Sequence, residues 1–110
     1  MSAAFTFHEV EVSGLAMGGA VRFEIGGTAV ALFKLDSQFF AISDLCTHAR
    51  GRLSSGFLEA GVVECPLHFG KFDVRTGKAL SPPCKIDVQV FPVRREGARV
   101  LVGLPHTEAL

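Results

Sequence analysis

Hydrophobic and polar residues alternate with a period of two along much of the chain. In AVRFEI (Ala20 to Ile25), Val21, Phe23 and Ile25 fall on one face and Arg22 and Glu24 on the other. Successive side chains of a strand point to opposite faces, so this spacing predicts a half-buried strand. Gly26-Gly27 suits a two-residue hairpin turn, and TAVALFKL is read as the returning strand. Asp36-Ser37 marks a second turn before QFFAIS (Gln38 to Ser43). Further strands are predicted at VVEC (Val62 to Cys65), KFDV (Lys71 to Val74), KIDVQVFPV (Lys85 to Val93) and RVLV (Arg99 to Val102), with turns at RTGK and Glu96-Gly97. GLAMGG (Gly14 to Gly19) lacks the glycine order of a dinucleotide fingerprint and reads as loop, and the tail PHTEAL is expected to fray. Short strands at regular spacing predict an all-β protein with an antiparallel β-sandwich or barrel-like base.

Composition narrows the functional classes. With 110 residues, 48% of them hydrophobic and 20% charged, the chain fits one ordered domain spanning residues 1–110. The formal net charge is zero, so neither nucleic acid nor an anionic membrane is an expected partner. MSAAFTFHEVEV has no basic stretch followed by an apolar one, and no run of eighteen apolar residues occurs, so a cytoplasmic location is expected. Three Cys, an odd number, disfavour a disulfide framework and point to metal or redox chemistry.

The Cys and His residues are grouped in two mixed pairs. CTHAR places Cys46 and His48 one residue apart, CPLHFG places Cys65 and His68 two apart, and sixteen residues (49 to 64) separate the halves. Gly51, Pro66 and Gly70 lie in the same loops, where a backbone bending round an inorganic centre needs small or φ-restricted residues. Structural zinc normally clusters like ligands, Cys with Cys and His with His. Mixed halves suit a binuclear centre better, with the two Cys on one iron and the two His on the other. Cys84, in SPPCKI, has no nearby His and is expected to be a buried structural thiol, and His8 and His106 are expected at the surface.

The pattern CTH then CPLH, within VVECPLHFGKFDVRTGKAL, resembles the Rieske motif, and the chain from its first hairpin to VLVGLP is similar to the small Rieske-type ferredoxins of bacterial aromatic-ring dioxygenase systems. The resemblance implies a Rieske fold with a small cluster-binding subdomain at about residues 44–84. It implies one 2Fe-2S cluster per chain, with Cys46 and Cys65 on the inner iron and His48 and His68 on the outer, solvent-side iron. It also implies a monomeric carrier, not an enzyme, taking electrons from a flavin-containing, NADH-dependent ferredoxin reductase and passing them to a terminal oxygenase. SPP resembles the loop that covers the cluster. The resemblance leaves a second class open, the small Rieske subunit of an assimilatory nitrite reductase-like enzyme, whose members often lack part of the ligand set; the full set here favours the carrier. Independent oxygenase chemistry is excluded, because no second two-His, one-carboxylate iron site can be assembled from the remaining residues.

Two departures from the respiratory branch carry physical consequences. That branch has a disulfide between the loops where this sequence has Gly51 and Leu67, and hydroxyls facing the cluster sulfurs where this sequence has Gly70 and Phe72. Hydrogen bonds to sulfur stabilise the added electron, so their loss predicts a potential near the low end of the Rieske span, about -150 mV. Two ferric ions, two sulfides and two thiolates sum to zero charge when both imidazoles are neutral, so reduction still costs less than in an all-Cys cluster. Ala49, Leu67 and Phe69 are a candidate apolar contact patch, with Arg50, Arg52 and Lys71 as a basic rim.

Overall fold

The computed structural model describes residues 5–46, 51–67, 69–82 and 86–105. Its elements are β1 (Phe5–Val10), β2 (Ala20–Ile25), β3 (Thr28–Leu35), β4 (Gln38–Ser43), β5 (Phe57–Glu59), β6 (Val62–Glu64), β7 (Lys71–Asp73), β8 (Val90–Phe91), β9 (Val93–Glu96) and β10 (Arg99–Pro105), with a 3-10 turn at Leu53–Ser55. They form three antiparallel sheets, ordered β1-β10-β9, β2-β3-β4-β8 and β5-β6-β7. The all-β prediction therefore holds, and no helix among the described residues is long and apolar enough to cross a membrane.

The middle sheet is covered on both faces, which explains why residues 29–33 form an unbroken apolar run rather than an alternating one. Val30 and Leu32 of β3 point into one core with Ala41, Phe91, Val100, Val102 and Leu104. Ala31 and Phe33 point the other way, into a second core with Ile42, Leu53, Val63, Phe72 and Val74. The first core joins the middle sheet to β10 and forms the base; the second joins it to the small β5-β6-β7 sheet. Cys46 and Cys65 both lie in this second core.

Turn chemistry sets the hairpins. Gly26 and Gly27 both take positive φ (58° and 85°), as do Ala60 and Gly61 (54° and 81°) between β5 and β6. Two consecutive positive-φ residues give the turn twist that matches flanking strands. VVEC and KFDV each shorten by one residue, to Val62–Glu64 and Lys71–Asp73, and RVLV extends to Pro105.

Three expectations are corrected. KIDVQVFPV is not one strand over Lys85–Val93: only Val90–Phe91 and Val93 onward are paired. Ahead of them Ile86 is exposed, Val88 is buried and donates its N–H to the Gly77 carbonyl (2.8 Å), and the Asp87 carboxylate accepts the Ala79 N–H (2.9 Å). Side-chain capping by Asp competes with a sheet ladder, and Pro92 lacks an N–H to donate. Phe5–Val10, for which no strand is predicted, pairs along its whole length with β10, from Phe5↔Pro105 to Val10↔Val100. His8, expected at the surface, is half-buried within it. GLAMGG is loop, as expected.

Candidate metal centre

The two Cys loops leave the ends of β4 and β6, and each is closed at its neck by the cysteine's own N–H. Cys46 N–H donates to the Gly51 carbonyl (2.9 Å), beside an antiparallel bridge between Leu45 and Arg52. Cys65 N–H donates to the Gly70 carbonyl (2.7 Å), and Phe69 N–H donates back to the Cys65 carbonyl (3.0 Å). Both cysteines are at most 2% exposed. Backbone strain in the second loop falls on Phe69, at φ 65°, a region costly for a bulky residue.

Gly51 clasps the loops together. A Cβ built there would lie 2.7 Å from the Cys65 sulfur and 3.2 Å from Leu67 Cγ. Sulfur from the second loop thus fills the space where a side chain of the first would stand, so Gly51 is required for the absence of its Cβ. The same contact sets positions 51 and 67 side by side, the pair that carries the disulfide in the respiratory branch.

Asp44 anchors the first loop to the base. Its carboxylate is 1% exposed, with Oδ2 accepting from Arg22 Nε (2.8 Å) and Oδ1 accepting from the Ser54 N–H (2.6 Å). Its carbonyl accepts the Leu53 N–H (2.8 Å), and its own N–H donates to the Ala29 carbonyl (3.0 Å). An isolated Asp 22 residues from its Arg partner gives no local sequence signal, so alternation places Arg22 on a polar face without revealing its partner.

Among the other predicted residues, Leu67 and Phe69 are 50% and 59% exposed, consistent with an apolar contact patch, and Arg52 and Lys71 are exposed at its margin. His48, His68, Ala49, Arg50, Cys84 and His106, with most of SPPCKI and of PHTEAL, lie outside the described residues. Gly70 and Phe72 are buried, Phe72 in the core that holds both thiols.

Two buried thiols from separate loops, close to one core wall and away from solvent, are inert as nucleophiles but fit a soft metal centre. Comparison with known proteins decides which. Residues 6–92 match the Rieske [2Fe-2S] domain. The chain belongs to the Rieske family. As such it carries a Rieske 2Fe-2S cluster. Among characterised relatives, the chain is 49% identical over 86 residues to the biphenyl dioxygenase ferredoxin subunit of Pseudomonas sp. (strain KKS102), covering 77% of this chain and 79% of the relative. It is 44% identical over 87 residues to the ferredoxin component of the naphthalene 1,2-dioxygenase/salicylate 5-hydroxylase systems of Ralstonia sp., covering 79% and 84%.

The fold of this Rieske protein matches the ferredoxin of carbazole 1,9a-dioxygenase from Nocardioides aromaticivorans IC177 with a TM-score of 0.84 at 36% identity, covering 88% of this chain and 96% of that one. A second match, at TM-score 0.78 and 37% identity, covering 83% and 94%, is to a chain in a complex of reduced oxygenase and oxidized ferredoxin in carbazole 1,9a-dioxygenase. The putative NADH-dependent nitrite reductase small subunit from Mycobacterium tuberculosis shares the fold (TM-score 0.81, covering 94% and 99%) at 22% identity.

Proposed function

We propose that this Rieske protein is the ferredoxin component of a multicomponent aromatic dioxygenase, a one-electron carrier and not itself an enzyme. Cys46 and Cys65 would hold the inner iron, and His48 and His68 the outer one, within a cluster-binding subdomain of about residues 44–84 in a single domain of residues 1–110. When bound, the cluster supplies a one-electron couple. The chain's own contribution is to keep the two thiolates dry, fix their spacing through the Gly51 clasp, and present an apolar tip. The observation that carries this reading is the pair of necked loops bringing two buried thiols into one core, in a chain whose relatives are named as ferredoxin components.

The partners proposed are a flavin-containing ferredoxin reductase and a terminal oxygenase, met in turn by a cytoplasmic monomer. Leu67 and Phe69 supply the apolar contact and Arg52 and Lys71, with Arg50, the charge that steers an acidic docking site. Redox encounters use small, transient interfaces, which suits a patch of this size. The related carbazole system, solved as a complex of oxygenase with ferredoxin, supports the oxygenase as partner. The nitrite reductase reading is the weaker one, because that likeness extends to fold alone.

The test is single-turnover electron transfer. Protein reduced by a ferredoxin reductase is mixed with a terminal aromatic-ring oxygenase, and one electron per chain should pass to it. Failure to accept electrons from any flavin reductase, or to pass them on, contradicts the carrier reading.

A further inference from the structure

Asp44 is the buried charged side chain of the described residues, and its surroundings exceed what a loop anchor needs. The single backbone N–H that its side chain accepts, from Ser54, could be satisfied by a neutral Asn or Ser. A buried carboxylate is costly unless paired, and here Arg22 pairs with it at 2.8 Å from the polar face of β2. Arg22 is 29% exposed and also reaches Glu24 (3.2 Å). A groove of about 360 Å³, lined by Arg22, Ala29, Asp44, Leu45 and Arg52, opens beside the pair. The result is a fixed negative charge two residues before Cys46, with its positive partner on the solvent side.

We propose that the Arg22–Asp44 pair positions the first ligand loop and sets the electrostatic potential felt at the cluster, with Asp44 acting as a positioning residue for electron transfer. This rests on the ligand assignment above. Asp44 ties β2, β3 and the 3-10 turn to the neck of the Cys46 loop through four bonds to four different residues. Its charge opposes an added electron and that of Arg22 favours one, because Coulomb interactions are weakly screened away from water. The two residues therefore pull the potential in opposite directions while holding the same loop.

The decisive measurement is film voltammetry at pH 8 on the cluster-loaded protein and its D44N, R22Q, R22K and R22Q/D44N variants. D44N should raise the potential, R22Q should lower it, R22K should stay near the parent, and the double variant should lie between the singles. Potentials that shift the same way in D44N and R22Q, or that do not move in either, overturn the proposal. If D44N fails to fold, equal potentials in R22Q and R22K overturn it as well.

The positioning half has a readout independent of the cluster. Amide hydrogen exchange at Ser54 should accelerate at least tenfold in D44A but not in D44N, which keeps an acceptor; equal exchange in D44A and the parent contradicts it. If D44A fails to fold, the Ser54 amide of D44N decides, and a tenfold acceleration there contradicts the proposed anchor. Iron content of Cys46→Ser separates these outcomes from an error in the ligand assignment: iron retained there contradicts the assignment, whereas iron lost there with unmoved arginine and aspartate variants contradicts this proposal alone.

Discussion

Gly51 and Phe72 show how single residues decide the centre's properties. The Cys65 sulfur occupies the volume a Cβ at position 51 would need, 2.7 Å away, and both atoms are held by the loop necks. Gly51→Ala should therefore destabilise the protein by about 1–3 kcal/mol, the usual cost of overpacking, and lower iron occupancy. Denaturant unfolding together with iron and acid-labile sulfide assays would read both effects. Phe72 is fully buried in the same core as the thiols, where a Tyr hydroxyl would have few partners other than sulfur. Phe72→Tyr should raise the potential by about 40 mV, taking about 1 kcal/mol for a net hydrogen bond and 59 mV per tenfold for one electron. An unchanged potential in voltammetry would show that the missing hydroxyl does not explain a low value.

At the scale of elements, the 3-10 turn joins the Cys46 loop to the second core. Leu53, at its start, is completely buried in the same core as both thiols, while its N–H donates to the Asp44 carbonyl. Leu53→Ala should cost about 2–5 kcal/mol through lost burial and a residual cavity, measured as a lower denaturation midpoint with unchanged slope. This element was invisible to periodicity because three residues show no period. Hairpins with a local signal were legible: AVRFEI, Gly26-Gly27 and TAVALFKL declare themselves by alternation and turn chemistry. β1 was not, since it pairs with β10 near the other end of the described chain, and pairing across that separation leaves no local mark. KIDVQVFPV misled for the opposite reason. Its alternation is genuine, but Asp87 caps a neighbouring turn and, among the described residues ahead of Val90–Phe91, Val88 alone is buried. Within the centre, the Cys/His spacing made the cluster type legible, whereas the Gly51 clasp and the Arg22–Asp44 pair depend on three-dimensional approach and were not.

The whole molecule is a stack of three sheets around two cores, with the thiols in the core farther from β10 and the apolar residues Leu67 and Phe69 exposed on the Cys65 loop. Docking through this tip should be separable from the redox couple. Charge reversal of Arg52 and Lys71 together is expected to slow electron transfer to the oxygenase by about tenfold at low salt, with the difference shrinking as ionic strength rises. Stopped-flow rates that are equal for parent and variant would remove the steering role. Leu67→Ser with Phe69→Ser should weaken the encounter at all salt concentrations, because apolar contact is not screened.

The proposed function rests on mixed ligation of a binuclear iron centre, with two thiolates on one metal and two imidazoles on the other. Pulsed paramagnetic resonance of the dithionite-reduced protein tests it most directly. Hyperfine coupling to two nitrogens is expected, lost or halved in His48→Cys. A spectrum without nitrogen coupling, or a colourless protein with stoichiometric zinc, would contradict it.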